Sequence, residues 1–264
     1  MWITRQISPN FRQEYTIETK ILDARSKEHI LEIFKSDDFD QIAMIDEKYI
    51  MLKKYLYIES ELNAHIGMCS HPDPKNVLIL GGFNLEVAYE ILRHEGVEVD
   101  FVQSDEKVFD SLISFLPNFS SVTQDIRFKK YDRAIDLPVK KYDLIICLNQ
   151  PNRHEIDGIS RMLSKEGILI FSTKHPLLEF DSFKDSISSA GEFFNIVMPF
   201  FAPLSIITDK GFVFASKRYH PLADMLLQKI DMLEGLKYYN PDIHQASFAL
   251  PNLLNEKLKG ILKN

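Results

Sequence analysis

The chain has 264 residues, of which 45% are hydrophobic, and a formal net charge of −7 at pH 7. This length and composition support one large domain, or a small domain joined to a larger one, with a well-formed core. The acidic balance argues against binding to a phosphate backbone, which requires clustered Lys and Arg. Nucleic acid is therefore not an expected partner.

The cysteines and histidines argue against a metal site. Cys69 and Cys147 lack a metal-ligand spacing, and the eight histidines form no HExxH motif. We predict no metal ion. The first residues lack the apolar core of a signal peptide, and no apolar run is long enough to span a bilayer, so we expect a cytoplasmic protein with no membrane partner.

Residues 1–54 are predicted to form a small antiparallel β domain. Four stretches are rich in Ile, Tyr, Phe and Thr and are separated by charged or turn-forming residues, namely YTIETKILDA, HILEIFKS, QIAMID and YIMLK. The next stretch, YLYIESELNAHIGMC, places Leu56, Leu62 and Ile66 on one helical face. It begins the second predicted domain, residues 55–264.

In this second domain, apolar strands alternate with helices. The strands are NVLIL, VEVDFV, IRFKKY, YDLIICL and GILIFST, and the helices between them include LEVAYEILRH, KVFDSLISFL and EIDGISRML. Near-continuous apolar strands of this kind form a parallel sheet that is covered on both faces. FFNIVMPFF and GFVFASKR have no long helix between them and are expected to form an antiparallel pair at the sheet edge. The pattern predicts an α/β fold with a Rossmann-like, doubly wound sheet.

A glycine pair follows the first strand of this sheet. Gly81 and Gly82 directly precede a helix, where glycine lets the backbone approach a ligand and the helix N-terminus offers free N–H groups. Asp105 follows the next strand about 20 residues later, where a carboxylate can reach ribose hydroxyls. Asp132 and Asn149 follow two further strands, so polar groups converge on the carboxyl edge of the sheet. A structural turn is the alternative for the glycines, and these strand ends favour a nucleoside site.

The glycine loop is neither a full GxGxxG nor a GxxxxGK[ST] motif. A dinucleotide or a nucleoside triphosphate is therefore less expected than a ligand without phosphates. An adenosyl sulfonium, S-adenosylmethionine or its decarboxylated form, is the candidate ligand.

Four stretches, spread along nearly the whole chain, carry a family resemblance. They are Trp2 with KILDARSKEH, the segment IDEKYIMLKKYLYIESELNAH, the glycine-loop segment PKNVLILGGFNLE, and YYNPDIHQASFALP over residues 238–251. The second keeps the family residues Asp46, Glu61, Ala64 and His65. The last is the most specific, although by composition alone it reads as core packing. Together they resemble the polyamine aminopropyltransferases, the spermidine synthase family.

The resemblance implies transfer of the aminopropyl group of decarboxylated S-adenosylmethionine to putrescine, giving spermidine and methylthioadenosine. It implies no cofactor beyond this co-substrate, and a homodimer or homotetramer. The reaction needs a neutral amine, so the site must take up a proton and must hold the second ammonium.

Donor-binding residues follow from the resemblance by position. The family's ribose carboxylate falls on Gln103, with Asp105 as a possible substitute, and its adenine-contacting Asp falls on Asp132, beside Arg133. The glycine-loop carboxylate that faces the aminopropyl ammonium falls on Asn84. The implied donor set is His29, Gly81, Gly82, Asn84, Gln103, Asp105, Asp132, Arg133 and Leu148.

The acceptor site and the base are implied in the same way. The family's DSSDP loop falls on LNQPN, which puts Leu148 and Gln150 at or near its two Asp positions. Gln150 and Glu59 are the implied catalytic residues, although a solvent-facing helix glutamate is the alternative for Glu59. The implied acceptor set is Trp2, Glu59, Gln150 and Phe201.

Several of these positions have lost a carboxylate, namely Asn84, Gln103, Leu148 and Gln150. Each lost charge-assisted hydrogen bond costs about 1.5–3 kcal/mol. Two other functions therefore stay open. A methyltransferase on the same fold tolerates Asn84 and Gln103, but the N-terminal β domain and the closing motif argue against it. A non-catalytic relative that binds an adenosyl ligand is favoured by the missing carboxylates.

Overall fold

The computed structural model describes residues 1–207 and 209–264 and begins with two small antiparallel sheets. The first is a hairpin of β1 (Trp2–Ser8) and β2 (Phe11–Thr16). The second contains, in sequence order, β3 (Thr19–Arg25), β4 (Ile30–Ser36), β5 (Asp40–Ile45) and β6 (Tyr49–Leu52). The predicted N-terminal antiparallel β structure is confirmed, and β1 extends it beyond the predicted stretches.

The four-stranded sheet is apolar on both faces. Along β5, Ala43 and Ile45 belong to the core shared with the rest of the chain, whereas Ile42 and Met44 pack with Tyr15 of the hairpin. Successive side chains of a strand point to opposite faces, so burial of both faces requires a continuous apolar run. This explains why QIAMI shows no polar alternation.

Helix α1 (Leu56–Met68) follows a 3-10 turn over Lys53–Tyr55 and packs beneath the large sheet. Glycine at position 67 permits the close approach, because a Cβ there would lie 2.6 Å from a methyl group of Leu144. Helix α1 is buried on most of its surface. It therefore serves as a core element between the N-terminal sheets and the large sheet.

The large sheet has seven strands, in the order β12, β13, β11, β10, β7, β8 and β9. These are β7 (Asn76–Leu80), β8 (Glu98–Val102), β9 (Phe128–Tyr131), β10 (Tyr142–Cys147), β11 (Leu163–Lys174), β12 (Ile196–Phe200) and β13 (Lys210–Ser216). The five strands from β11 to β9 are parallel, and β12 and β13 are antiparallel at the edge, as predicted. The strand order reverses between β7 and β10, which is the switch point of a Rossmann-like sheet.

Helices cover both faces of this sheet. Their bounds are α2 (Glu86–Leu92), α3 (Glu106–Ser111), α4 (Phe119–Thr123), α5 (Arg153–Met162), α6 (Phe180–Gly191), α7 (Leu227–Asp231), α8 (Pro241–Ser247) and α9 (Asn252–Lys257). Ile79 and Ile146 face the core that contains α1 and α2, and Leu78 and Ile145 face the core that contains α5 and α6. Full burial of each such side chain contributes about 1.5–3 kcal/mol. Among the helices of the described residues, none is long and apolar enough to cross a membrane.

Two of the motifs noted in the sequence bind each other. The Glu61 carboxylate accepts backbone N–H bonds from Lys237, Tyr238 and Tyr239 at 2.9, 2.8 and 2.8 Å. The Tyr239 hydroxyl donates to the His65 carbonyl at 3.1 Å. The closing motif is therefore anchored to α1 and belongs to the core.

Candidate functional site

A cleft of about 420 Å³ opens at the carboxyl ends of β7, β8 and β9. Gly81 and Gly82 form its floor, with φ angles of 68° and 67°. L-residues rarely adopt this conformation, and an added Cβ would lie 2.6 Å from Asn149 or from Leu148. The glycine pair is thus required by the turn and by its close contact with the loop after β10.

Polar residues at the strand ends meet at this cleft, although Asp105, which the pattern predicted as one of them, is not among its lining residues. Gln103, Asp132 and Asn149 line it from the large sheet. The opposite wall comes from the N-terminal sheet and consists of His29, Ile45, Asp46, Lys48 and Tyr49. The cleft therefore lies between the two parts of the chain, and each part contributes side chains to it.

Asp46 orients His29 at the cleft. Its carboxylate accepts the Ile30 N–H at 2.8 Å and lies 2.7 Å from His29 Nδ1. Burial alone would raise the pKa of Asp46, but these two hydrogen bonds lower it below its ordinary value. The His29 ring stands edge-on to Phe83 at a centroid distance of 5.3 Å. Asp46 thereby fixes a ring that reaches over the glycine loop.

Gln103 is buried, and both ends of its amide are engaged. Its nitrogen donates to the Gly82 carbonyl, and its oxygen accepts the Asp105 N–H at 2.9 Å. The Asp105 carboxylate accepts the Val108 N–H at 3.1 Å, which caps α3, and also binds the Ser26 hydroxyl. Gln103 lines the cleft, whereas the structure places Asp105 in a neighbouring surface depression.

Glu28, His29 and Asp105 bring potential metal-ligand atoms within 4.8 Å of one another at the outer rim. The carboxylate of Asp105 already binds Ser26 and caps α3, and His29 pairs with Asp46. The absence of a metal ion stays a prediction from the sequence.

Asp132 and Arg133 line the cleft at its exposed edge. Asp132 lies 2.7 Å from the Lys130 ammonium, which lowers the pKa of this carboxyl and keeps it ionised at neutral pH. Arg133 pairs with Asp136 at 3.0 Å. These charged groups are accessible to a ligand at the rim.

An apolar chamber of about 370 Å³ continues the cleft towards α5. Gly81, Ala134 and Asn149 line both spaces. The remaining lining includes Leu80, Cys147, Pro151, Ile159 and Met162. Burial raises the pKa of the Cys147 thiol to about 11, so Cys147 contributes apolar surface and no nucleophile. Apart from the apolar character of its strands, no sequence pattern predicted this chamber.

A smaller cavity of about 120 Å³ contains the predicted residues Glu59 and Phe201. Its other lining residues are His175, Ala202, Ile207, Lys210 and Phe212. Glu59 and Lys210 form an ion pair at 2.7 Å, with each side chain 18% exposed. Glu59 is therefore turned inward, which excludes the solvent-facing alternative. Sequence reasoning missed His175 and Lys210, although His175 directly follows the carboxyl end of β11.

Gln150 and Trp2 lie outside this small cavity. The Gln150 amide lines the apolar chamber and donates to the hydroxyls of Ser182 and Ser186 at 3.0 and 2.8 Å. An amide directed in this way cannot act as a general base. Trp2 is 67% exposed on β1 and lies outside the lining of these three spaces.

Asn84 and Leu148 support the glycine loop from behind. Asn84 is 2% exposed, and its amide binds Ser60 and the Glu86 N–H. Leu148 packs against the core and closes the space beside Gly82. Among the described residues that line the cleft, the chamber and the small cavity, neither of these two appears.

The fold and the cleft define a Rossmann-like α/β protein with a cleft at the carboxyl edge of the sheet, beside the switch point, and with an N-terminal β structure as the second wall of the cleft. Residues 56–226 match the family described as "Spermine/spermidine synthase domain". Residues 1–54 match the "Spermidine synthase tetramerisation domain". The chain belongs to the spermidine synthase family of polyamine aminopropyltransferases, which are transferases of polyamine biosynthesis.

Similar sequences and structures agree with this placement. The polyamine aminopropyltransferase of Helicobacter acinonychis (strain Sheeba) is 50% identical over 264 residues, which cover 100% of both chains. That of Helicobacter pylori (strain G27) is 48% identical with the same coverage. The crystal structure of spermidine synthase from Thermotoga maritima has a TM-score of 0.90 at 24% identity, covering 98% of this chain and 94% of that chain. The family and fold predicted from the sequence are confirmed.

Proposed function

We propose that the chain transfers the aminopropyl group of decarboxylated S-adenosylmethionine to putrescine, giving spermidine and methylthioadenosine. The observation that carries the proposal is the pair of spaces near Tyr49. Tyr49 lines the large cleft, and its ring centroid lies 5.2 Å from Lys210 Nζ in the small cavity. A nucleoside suits the large space and a short aliphatic amine suits the small one.

In this proposal the adenosine part of the donor lies in the cleft and the apolar chamber. The purine packs among the apolar side chains near Ile159, and the ribose lies over the glycine pair. Asp132 and Arg133 contact the base from the rim, while His29 and Gln103 lie beside the ribose. Asn84, Asp105 and Leu148 act indirectly, because their contacts hold the loop and the start of α3 in place.

The proposed reaction is an in-line displacement at the carbon next to the sulfonium. The acceptor nitrogen uses its lone pair to form the new C–N bond, and the C–S pair moves to sulfur to give a neutral thioether. The new secondary amine then carries one positive charge, and the proton that the acceptor ammonium lost must be taken up. Because the sulfonium is itself the leaving group, the step needs no further cofactor.

Glu59 is the acceptor-side carboxylate in this proposal. Its position at the small cavity allows it to hold an ammonium or to take up the proton. Phe201 and Phe212 supply the apolar surface for the methylene chain and exclude water. Gln150 has no catalytic role in the proposal, since its amide is committed to the α6 hydroxyls.

The purified protein is incubated with decarboxylated S-adenosylmethionine and putrescine, and the products are identified by mass. Equal amounts of methylthioadenosine and spermidine support the proposal. S-adenosylhomocysteine formed from S-adenosylmethionine would indicate a methyltransferase, and unchanged donor would indicate a non-catalytic relative. Glu59→Gln should lower turnover more than donor affinity, with exposed Glu256→Gln as the control. Equal turnover in Glu59→Gln would remove Glu59 from the mechanism.

We also infer that the chain forms a homodimer or homotetramer. The match of residues 1–54 to a family region described as a tetramerisation domain supports this. Light scattering on the purified protein tests it, and a monomer mass at micromolar concentration would contradict it. The cytoplasmic location stays a prediction from the sequence.

A further inference from the structure

The small cavity already holds a cation of the protein itself. The Lys210 ammonium, at the start of β13, lies 2.7 Å from a carboxylate oxygen of Glu59. The ring centroids of Tyr49 and Phe212 lie 5.2 and 5.9 Å from the same ammonium. A carboxylate and two aromatic faces are the surroundings in which proteins bind ammonium ligands. Lys210 therefore occupies the place that the far ammonium of a diamine would take.

The charges around the cavity sum to zero. Glu59 is the one carboxylate among the described residues that line it, and Lys210 neutralises it. Asp209 lies next along the chain, but Arg5 holds it with two hydrogen bonds of 3.1 and 2.6 Å. A diammonium acceptor must therefore compete with Lys210 for Glu59, and this competition weakens its binding.

His175 adds a hydrogen-bond donor to the cavity. Burial lowers the pKa of His175, so the ring is neutral at neutral pH. Its Nδ1 accepts the Leu177 N–H at 3.3 Å, which leaves the ring proton on Nε2. Among the described residues Nε2 has no hydrogen-bond partner. The cavity therefore presents an N–H of His175 together with the ammonium of Lys210.

We propose that Lys210 is a specificity-determining residue of the acceptor site, and that its ammonium lowers the preference for a diamine such as putrescine over an amine of the same length that ends in a carboxylate. The inference rests on the proposed function, since it takes the small cavity as the acceptor site. A far carboxylate pairs with Lys210 and receives the His175 N–H without adding a net positive charge. The apolar lining by Phe201, Ala202 and Phe212 accommodates the intervening methylene groups.

Three acceptors of matched length isolate the charge of the far end. They are 1,4-diaminobutane, pentylamine and 4-aminobutyrate, which end in an ammonium, a methyl group and a carboxylate. Release of methylthioadenosine gives kcat/KM for each in the wild type, Lys210→Met, Lys210→Glu and Lys210→Arg. The control is Lys184→Met, because Lys184 is exposed on α6, away from the cavity. Melting temperatures verify that each variant is folded.

We expect the ratio of kcat/KM for 1,4-diaminobutane to that for 4-aminobutyrate to rise at least about tenfold in Lys210→Met, as for loss of one charge-assisted contact. It should rise further in Lys210→Glu and stay near the wild-type value in Lys210→Arg and Lys184→Met. An unchanged ratio in Lys210→Met and Lys210→Glu would overturn the inference and leave the proposed function intact.

Two further results separate this inference from the proposed function. If no amine releases methylthioadenosine from the wild type, the proposed function fails. In that case calorimetry measures the affinities of the same amines for the protein saturated with methylthioadenosine. A stronger preference for the diamine in Lys210→Met than in the wild type supports the inference. An unchanged preference, or no binding of any amine, overturns it. S-adenosylmethionine would donate an aminopropyl group that carries a carboxylate. If the wild type transfers this group and Lys210→Met does not, Lys210 binds the carboxylate of the donor, and this result would also overturn the inference.

Discussion

The side chains of Ser60 and Asn84 hydrogen-bond to each other, with 3.0 Å between Asn84 Nδ2 and Ser60 Oγ. Asn84 stands where the family resemblance implies a carboxylate, and both side chains are buried. Ser60 also donates to the Leu56 carbonyl at 2.8 Å, and Asn84 accepts the Glu86 N–H at 3.2 Å. The amide of Asn84 is therefore satisfied by Ser60 and by the start of α2.

Restoring the carboxylate at position 84 should destabilise the fold. Asn84→Asp removes the donor to Ser60 and buries a charge, although the start of α2 offsets part of this cost. We expect the free energy of unfolding to fall by about 1–3 kcal/mol at pH 7.5. Urea denaturation measures it, with exposed Asn10→Asp as the control. Unchanged stability would show that the site accepts a carboxylate and that Asn84 is not needed for packing.

Glu61→Gln should loosen the closing motif. The carboxylate accepts three backbone N–H groups of residues 237–239, and a glutamine amide keeps only one acceptor oxygen. We expect a loss of about 2–3 kcal/mol in the free energy of unfolding. Hydrogen exchange should show faster exchange at these three amides than in the wild type. Glu256→Gln should change neither quantity, and intact protection in Glu61→Gln would remove the anchoring role.

Asp132→Ala should weaken donor binding without weakening the fold. The Asp132 side chain is 68% exposed, and its ion pair with Lys130 lies at the surface, where such pairs contribute little to stability. We expect the affinity for methylthioadenosine to fall at least about tenfold, as for loss of a charge-assisted contact. Calorimetry measures it beside Asp185→Ala, an exposed carboxylate on α6. Unchanged affinity would overturn the proposed position of the adenine base.

Two buried histidines should make the protein acid-labile. His65 lies 3.1 Å from both Glu90 and His94, and burial lowers the pKa of His65 to about 3 and that of His94 to about 2. In the unfolded chain both take up protons below about pH 6.5, whereas in the folded chain they do not. Their contribution to stability is thus present above that pH and is lost as the pH falls.

For each of these histidines, we expect the free energy of unfolding to fall by about 2 kcal/mol when the pH is lowered from 7.5 to 5.0. Urea denaturation at the two pH values measures the loss. His65→Gln and His94→Gln should each flatten the pH dependence, and exposed His154→Gln should leave it unchanged. The raised pKa of Glu90 acts in the opposite direction. His94→Gln leaves the contacts of Glu90 with His65 and Arg93 in place, so its comparison with the wild type removes this contribution. Parallel slopes in all four proteins would contradict this assignment.

The edge of the sheet that carries the site was predictable from local patterns. The glycine pair and the polar residues after each strand were enough to locate it, because parallel strands bring their carboxyl ends to one edge. The individual contacts were not predictable. Gln103 and Asp105 bind each other and the nearby backbone, and their choice of partners depends on the folded loop. Lys210 and Glu59 are 151 residues apart, so no local pattern joins them.

One predicted helix was too long, for a physical reason. KVFDSLISFL has a helical apolar period, yet α3 ends at Ser111. Leu112, Phe115 and Leu116 are still buried, so the helical spacing of these apolar residues reflects their burial in a turn that follows α3. Pro117 also disfavours helical geometry at Leu116. The apolar period predicted which residues enter the core, and the turn determined how the backbone brings them there.

The wall that the N-terminal sheet contributes to the cleft has a consequence for protein engineering. His29, Asp46, Lys48 and Tyr49 all come from residues 1–54 and face the ligand space across the glycine loop. A chimera that takes this segment from a relative would receive one of the two walls of the cleft along with it. Exchanging the N-terminal segment would then change the ligand preference, even if the sequence of the Rossmann-like part were unchanged.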